Sequence, residues 1–208
     1  MDIYLDNSAT TRVCPEAADM AYKVMTEVYG NPSSTHARGR EAKKLLDAAR
    51  RELSLSLGCQ PKELVFTSCG SEADNWAVLS GAFAASAKGG HVISSLTEHD
   101  AIRKSLDELE RRGYEVTRLA PDESGAIPVQ AVVDALRPDT VLVSLMLVNN
   151  ETGAVNDLPG VARALKKANS RALLHCDAVQ GFLKLPFTVK SLGADMVTIS
   201  GHKIHAPK

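Results

Sequence analysis

Short apolar runs alternate with helix-periodic segments along most of the chain, and this alternation is the feature that most limits the possible folds. Each apolar run is short enough to be a buried strand. The segments between them carry apolar residues at three- and four-residue spacing, as in Glu41–Leu57, which Gly58 ends. Strands that alternate with helices predict an α/β protein with a mostly parallel sheet and flanking helices. The predicted strands are Leu64–Thr67, His91–Ser95, Tyr114–Leu119, Val141–Val148, Ala172–Asp177 and Met196–Ser200, and the helices between them include Ser71–Lys88, Asp100–Arg112, Val129–Leu136 and Leu158–Ala168.

Lys203 closes the motif Ser200-Gly201-His202-Lys203, which directly follows an apolar run. A lysine at a strand end, flanked by a hydroxyl and an imidazole, suits a Schiff base with pyridoxal phosphate (PLP). The alternative for any single lysine is a solvated side chain, since lysines are mostly exposed. The neighbouring motifs therefore have to decide between the two.

Asp177 ends another apolar run, in His175-Cys176-Asp177. Ligands of open parallel sheets bind at the carboxyl ends of the strands, so Asp177 and Lys203 are expected to face one crevice. A carboxylate is what keeps the pyridine nitrogen of PLP protonated, so that the ring accepts electrons from the substrate. The alternative for Asp177 is a helix cap or a structural hydrogen bond.

Two further segments place polar groups at predicted strand ends. The turn Ser68-Cys69-Gly70-Ser71 leads into a helix, whose free backbone N–H groups and dipole suit an anion such as the cofactor phosphate. His99 follows the second predicted strand, where a flat imidazole can stack on a planar ring or move a proton. Ordinary helix capping is the alternative in both places. The turn has neither a Walker lysine nor a Gly-x-Gly-x-x-Gly pattern, which disfavours a nucleotide.

In their order along the chain these motifs resemble the cysteine desulfurases, a branch of the class V aminotransferase superfamily. The resemblance spans essentially the whole chain and implies a type I, aspartate aminotransferase-like fold, with PLP bound to the large domain. The segments that carry it are Tyr4–Thr11, Gly30–Ser34 with His36, Gly39 and Arg40, Thr67–Asn75, Glu98-His99, Val148–Gly153, His175–Gln180 and Ser200–Lys203.

The resemblance implies a role for each matching residue. Lys203 would hold the cofactor's aldehyde carbon and then move the substrate's alpha proton, so it and His99 are the expected catalytic residues. Asp177 would pair with the pyridine nitrogen, and His99 would lie over the ring. Gln180 and Asn150 match positions that hydrogen-bond the phenolic oxygen of PLP or the substrate side of the site. The positions that match the phosphate-binding residues are Gly70, Ser71, Ser200 and His202.

Members of this family are nearly twice as long as this chain, so residues 1–208 are expected to hold an amino-terminal segment and an incomplete PLP-binding large domain. The small carboxy-terminal domain, the carboxylate-binding arginine and the loop with the nucleophilic cysteine would then be absent, and the chain alone would be incomplete for turnover. None of the four cysteines matches that nucleophile. Cys176 is expected to be a small buried residue, whereas Cys69, at a helix N-terminus, is the one expected to have a lowered pKa. The cysteines are Cys14, Cys59, Cys69 and Cys176.

In a complete relative, L-cysteine would yield L-alanine while an enzyme cysteine takes the sulfur as a persulfide. The resemblance further implies a homodimer that passes sulfur to an acceptor or an iron–sulfur scaffold protein. Two alternatives stay open. One is another class V enzyme, such as a selenocysteine lyase or an aminotransferase for a small amino acid. The other is a non-catalytic PLP-binding protein.

Composition limits the partners and the compartment. A formal charge of −1 disfavours a nucleic-acid partner held by bulk electrostatics. The longest apolar stretch is far short of the roughly 20 residues of a spanning helix, so no membrane segment is expected. Asp2 and Asp6 stand where a signal peptide has basic residues, and there is no Cys-x-x-Cys pair for a metal site. Free cysteines in modest number fit the reducing cytoplasm.

Overall fold

The computed structural model describes residues 3–207, so Asp2 and Lys208 lie outside the described part of the chain. The chain divides into two compact units. The first comprises the amino-terminal segment up to Phe66 together with residues from Gly201 onward, and the second comprises Thr67–Ser200. Each unit is described by itself.

Two helices make up most of the first unit. Helix α1, Pro15–Thr26, begins with a proline whose fixed φ suits a first helical turn, and it was not among the predicted helices. Helix α2, Ala37–Leu57, contains the predicted segment and begins four residues earlier, where the His36 ring accepts a hydrogen bond from the Gly39 N–H. It ends at Gly58, whose φ of 69° is the left-handed conformation that glycine adopts without strain. A short 3₁₀ helix, Pro61–Glu63, follows.

The predicted strand Leu64–Thr67 is wrong. No strand forms there, although Leu64 has extended backbone angles. Val65 and Phe66 are 60% and 44% exposed, so the run does not have the burial that its apolar residues suggested. In place of a strand partner, the Leu64 carbonyl accepts a hydrogen bond from Arg50, whose guanidinium lies over the Phe66 ring, 4.7 Å from its centroid.

The second unit is built on a five-stranded sheet in the order β2-β1-β3-β4-β5, with all neighbouring strands parallel. The predicted parallel sheet is confirmed. One of its strands has the predicted bounds, and each of the others differs by one or two residues at one end or at both. The strands are β1 His91–Ser95, β2 Glu115–Leu119, β3 Thr140–Met146, β4 Leu173–Asp177 and β5 Met196–Thr198.

Helices cover both faces of this sheet. The first face carries a nearly continuous helical stretch, in which α3 and α4 are joined by the π-helical turn Trp76–Ser80, and it also carries α5. The second face carries α6, α7 and α8. The bounds are α3 Gly70–Asn75, α4 Gly81–Ala85, α5 Asp100–Arg111, α6 Val129–Ala135, α7 Leu158–Lys167 and α8 Val189–Leu192.

Each face has its own apolar core, because strand residues alternate between the two faces. On the first face Val92 and Leu142 pack with Ile102, Leu106 and Leu109 of α5. The second face joins the remaining strand positions to α6 and α7, through residues that include Ile93, Val143, Leu145, Leu174, Val132, Val161 and Leu165. The helices that pack on these two cores hold the strands in place, and with them the sheet edge at which the strands end.

The strand order reverses between β1 and β3, because β1 is followed in space by β2 on one side and by β3 on the other. In open parallel sheets the crevice outside the carboxyl ends of the strands, at such a reversal, is where ligands bind. The segments after β1, β3 and β4 are therefore the ones that matter for function.

Candidate functional site

Several predicted site residues lie at the carboxyl edge of the sheet in the second unit. Asp177 and Gln180 are buried, as is Ser200, whereas His99 is exposed and Asn150 is half-buried. Their chain positions are His99 after β1, Asn150 after β3, Asp177 at the end of β4, Gln180 just beyond it and Ser200 after β5.

The turn before α3 is shaped by short-range hydrogen bonds. The Thr67 hydroxyl donates to the Cys69 carbonyl at 3.0 Å, and the Ser68 N–H donates to the Glu72 carboxylate at 2.5 Å. Cys69 has extended backbone angles and precedes the first helical residue, Gly70. The pKa of the exposed Cys69 thiol is lowered, chiefly by a hydrogen bond from the Glu72 backbone, in the direction that the sequence predicts.

Gly70 packs closely against Ser200. A Cβ atom at residue 70 would lie 3.1 Å from the Ser200 Cβ and 3.3 Å from its hydroxyl oxygen. Only a residue without a side chain leaves this space open. The start of the helical stretch and the Ser200 hydroxyl are therefore close neighbours.

Asp74, one turn further along α3, fastens this helix to β5. Its Oδ1 accepts a hydrogen bond from the Thr198 hydroxyl at 2.5 Å, and both side chains are buried. Burial, and then the negative charge of Asp177, raise the pKa of Asp74 to about 8. No role for Asp74 was predicted from the sequence, because its partner Thr198 lies far along the chain.

Asp177 is held in place by the backbone around it. Its Oδ1 accepts a hydrogen bond from the Val179 N–H at 2.9 Å, and its carbonyl accepts one from the Leu147 N–H at 2.7 Å. Because the second of these bonds joins β4 to the segment after β3, the carboxylate sits on a rigid strand end. This is the arrangement expected for a group that must face a bound ring from a fixed direction.

Gln180 lies one turn beyond Asp177. Its side-chain oxygen accepts a hydrogen bond from the Lys184 ammonium at 2.9 Å, and desolvation lowers the pKa of Lys184. The interaction orients the amide of Gln180 so that its oxygen is engaged by a cation. Lys184 was not identified from the sequence.

His99 is the cap of α5. Its Nδ1 accepts a hydrogen bond from the Ala101 N–H at 3.2 Å, so a neutral His99 carries its proton on Nε2. The capping role that the sequence analysis gave as the alternative is thus present. It leaves the other ring nitrogen and the exposed ring faces available to a ligand.

Asn149, which sequence reasoning missed, shapes the loop that carries Asn150. Its side-chain oxygen accepts hydrogen bonds from the Glu151 and Thr152 N–H groups, both at 2.9 Å, and its Nδ2 donates to the Thr97 carbonyl at 3.0 Å. The loop after β3 is thereby joined to the turn that leads to His99.

Glu98 makes a second connection between the segment after β1 and the end of β3, and sequence reasoning gave it no role of its own. Its Oε1 accepts hydrogen bonds from the Ser95 hydroxyl at 2.7 Å and from the Met146 N–H at 3.1 Å. Its Oε2 is buried and has no hydrogen-bond partner among residues 3–207. Burial is the main cause that raises the pKa of Glu98 to about 8.

Lys203 and His202 belong to the first unit, where they pair with the amino-terminal segment. The Lys203 ammonium donates to the carbonyls of Ser8 and Ala9, the latter at 2.8 Å. The His202 carbonyl accepts hydrogen bonds from the Thr11 N–H and hydroxyl, both at 2.8 Å. The lysine is therefore held by the backbone of the motif that begins at Tyr4.

The residues of the second unit fit PLP by their chemistry. A dianionic phosphate suits a helix start at which Gly70 brings the backbone close to the Ser200 hydroxyl. A protonated pyridine suits a buried carboxylate, which Asp177 provides. Asp177 ends strand β4, and Ser200 follows the neighbouring strand β5 of the same sheet. These features define a class, namely open parallel α/β proteins whose carboxyl sheet edge has residues suited to an anionic cofactor.

Comparison with known proteins narrows this class. The sequence profile described as "Aminotransferase class-V" matches residues 3–208, so the chain belongs to the class-V aminotransferase family. It is 42% identical over 207 residues to the protein named cysteine desulfurase IscS of Anaeromyxobacter sp. (strain K), an alignment that covers 99% of this chain and 51% of that protein.

Two solved structures have the same fold. A structure titled "NifS-like protein" matches with a TM-score of 0.96 at 36% identity, covering all of this chain and 57% of that one. A structure titled "SspA in complex with cysteine" matches with a TM-score of 0.94 at 34% identity, covering all of this chain and 59% of that one. The chain thus spans about half the length of the proteins it matches.

Within residues 3–207, no helix combines the length and the apolar composition that crossing a membrane requires.

Proposed function

We propose that the protein is a PLP-dependent cysteine desulfurase and that residues 1–208 supply its amino-terminal segment and an incomplete part of its PLP-binding large domain. The reaction would convert L-cysteine to L-alanine and pass the sulfur, as an enzyme persulfide, to an acceptor. The observation that carries the proposal is the placement of the Gly70 turn and Asp177 at one edge of a parallel sheet, in a chain 42% identical to a cysteine desulfurase.

PLP, when bound, supplies an electron sink for the electron pair released at the substrate's α-carbon. Asp177 would hold the proton on the pyridine nitrogen, and its backbone-anchored carboxylate suits that task. Lys203 would bind the aldehyde carbon and then take and return the proton at the substrate's α-carbon. His99 would cover one face of the ring, with a proton on Nε2 to donate.

The remaining residues would position the cofactor. Asn150 and Gln180 would hydrogen-bond its phenolic oxygen, and the Lys184 cation that engages Gln180 favours negative charge there. The residues proposed to bind the phosphate are Gly70, Ser71, Ser200 and His202.

The proposal extends to the substrate, the partners and the compartment. One related structure, SspA, is described as a complex with cysteine, which supports L-cysteine or a similar small amino acid as the substrate. The proposal includes a homodimer, a sulfur-acceptor or iron–sulfur scaffold protein as partner, and a cytoplasmic location. The formal charge of −1 argues against a nucleic-acid partner.

A selenocysteine lyase or an aminotransferase of the same family is the second candidate, because it would use the same lysine and aspartate. The products separate these activities. Protein isolated from its native source and given L-cysteine with an excess of a reducing thiol, which reduces the persulfide and releases its outer sulfur as sulfide, should form L-alanine and sulfide without a keto acid. It should also prefer L-cysteine to L-selenocysteine.

The matched controls are Lys203→Ala, which should form no alanine, and Lys167→Ala, an exposed lysine at the end of α7, which should behave as wild type. Keto acid as the main product, or alanine formation that survives Lys203→Ala, would overturn the proposal. Protein that binds PLP yet turns over neither amino acid would favour the alternative of a non-catalytic PLP-binding protein.

A further inference from the structure

Three carboxyl groups form a row along the carboxyl edge of the sheet. Glu98 accepts a hydrogen bond from the N–H of Met146, and Met146 is the register partner of Asp177 in the adjacent strand. On its other side Asp177 is the register partner of Thr198, whose hydroxyl holds Asp74. Asp177 therefore stands between two further acids, each one strand away.

All three acids are removed from water, with exposed fractions of 4% for Glu98, 2% for Asp74 and 5% for Asp177. Three negative charges so close together in a buried site would repel one another and lose their hydration. The hydrogen bonds of Glu98 agree with a neutral group. Its Oε1 accepts two bonds, but its buried Oε2 has no partner among the described residues, and an ionised oxygen in that position would be costly.

We propose that Glu98 and Asp74 flank Asp177 as neutral carboxylic acids and act as positioning residues, so that the row carries its negative charge on Asp177. The role of Asp177 rests on the proposed function, in which its carboxylate faces the pyridine nitrogen of PLP. Each neutral acid anchors the structural element that carries it close to the Asp177 carboxylate. Asp74 holds the helix that begins at Gly70, and Glu98 holds the turn that continues into His99.

The pKa directions agree with this assignment. The pKa of both Glu98 and Asp74 is raised to about 8. Burial is the main cause, and the negative charge of Asp177 contributes in the same direction. Two buried titratable groups beside the row, Cys176 and His175, supply no competing charge at neutral pH. The pKa of Cys176 is raised well above its usual value by burial and by the three acids, and burial lowers the pKa of His175 to about 3.

Two more ionisable side chains stand on the elements that carry the row. His99 follows Glu98 and caps α5, and Glu72 on α3 accepts a hydrogen bond from the Ser68 N–H. The Glu72 carboxylate is thus engaged in the turn before α3, and the hydrogen bond from Ser68 lowers its pKa.

Without cofactor, the proposal predicts how stability depends on pH. A carboxyl group whose pKa is raised in the folded state stabilises the fold fully below its unfolded pKa of about 4, and this stabilisation is lost as pH rises to about 8. His175 and His91, whose pKa values are lowered, add a slope of the opposite sign near pH 6.5, because they are partly protonated there in the unfolded state. These histidines are the same in every variant, so comparing wild type with amide variants of the two acids from pH 6.5 to 8 isolates the acids.

The experiment measures the unfolding equilibrium constant of the PLP-free protein across this window for wild type, Glu98→Gln, Asp74→Asn and the double variant. Each amide keeps the accepting oxygen and cannot ionise. The wild-type constant should rise with pH by up to about tenfold per unit for each acid, each single variant should remove part of that rise, and the double variant should remove most of it. Glu123→Gln, at an exposed carboxylate, should leave the rise unchanged. A rise that persists undiminished in the double variant would overturn the proposal.

A second readout tests positioning rather than stability alone, namely the pH profile of the PLP dissociation constant. Wild type should bind PLP more weakly above pH 8, where the flanking acids ionise, and the double variant should keep the wild-type constant at pH 7 within about twofold and lose the weakening above pH 8. A loss of affinity of tenfold or more at pH 7 in the amide variants would mean that ionised carboxylates are needed, and would sink the proposal. Wild-type protein that never binds PLP would contradict the proposed function, while the stability measurement would still decide the protonation of the two acids.

Discussion

Leu183 adopts a left-handed backbone conformation, with φ of 59°, although its side chain is 67% exposed and gains little from packing. An L-residue other than glycine or asparagine is strained in this conformation by roughly 1–2 kcal/mol. We expect Leu183→Gly to raise the free energy of unfolding by about 0.5–1 kcal/mol, after allowance for the extra freedom of glycine in the unfolded chain. Chemical denaturation of the two proteins measures this difference.

Two controls show whether backbone strain is the cause. Asn169 also has a positive φ, of 50°, but asparagine tolerates it, so Asn169→Gly should gain less. Leu96 is 52% exposed and has no such φ, so Leu96→Gly should lower stability slightly. A loss of stability in Leu183→Gly would show that the Leu183 side chain contributes more than its exposure suggests.

Single residues divide into those whose chemistry the sequence revealed and those that only the three-dimensional contacts identify. Asp177 was predictable because it ends an apolar run, where a parallel sheet presents its ligands. The importance of Glu98 and Asp74 could not be predicted from the sequence, since each is an acidic residue in a polar-looking motif. Their burial depends on partners far along the chain, Met146 and Thr198, that no local pattern indicates.

Among the elements, α3 bears most directly on function, because it begins at the turn proposed to bind phosphate. Replacing Gly70 by alanine would place a methyl group 3.1 Å from the Ser200 Cβ, so the turn or the loop after β5 must shift by a few tenths of an ångström. We expect this shift to weaken PLP binding by about three- to tenfold, because hydrogen bonds from the turn to the phosphate depend on distance and angle. Titration with PLP, followed by absorbance, gives the dissociation constant.

The matched control lies in α4, in the same helical stretch. Ala84 is exposed and distant in sequence from the turn, so Ala84→Gly should lower helix stability by about 1 kcal/mol without changing the dissociation constant of PLP. Equal weakening in both variants would show that PLP affinity follows helix stability, and would contradict a specific role for the space at Gly70.

Most elements could be predicted because their periodicity is local, as in α5, where the apolar residues all face the sheet. The failures have physical causes. Leu64–Thr67 has the composition of a strand, but a strand also needs a hydrogen-bonded neighbour, which composition cannot supply. Helix α1 was not predicted although Ala17, Met20 and Val24 stand at helical spacing, and none of its residues is buried.

At the scale of the whole molecule, the parallel sheet and the family were within reach of the sequence, because βαβ alternation fixes the sheet type and the motifs recur in a fixed order. The strand order β2-β1-β3-β4-β5 was not, since it depends on which side of β1 the chain returns to. The same order places the reversal next to the segments that carry His99 and Asn150. The fold and the residues proposed for the site are thus consistent with one another.

The central claim is that Lys203 holds PLP, and reductive trapping tests it most directly. The protein is mixed with one equivalent of PLP, reduced with borohydride, digested and mapped by peptide mass spectrometry. We predict that the pyridoxyl phosphate group is found on the peptide containing Lys203, and that the Lys203→Ala variant carries no stoichiometric label. Labelling spread over exposed lysines such as Lys166 and Lys167, or a label that persists in the variant, would contradict the account.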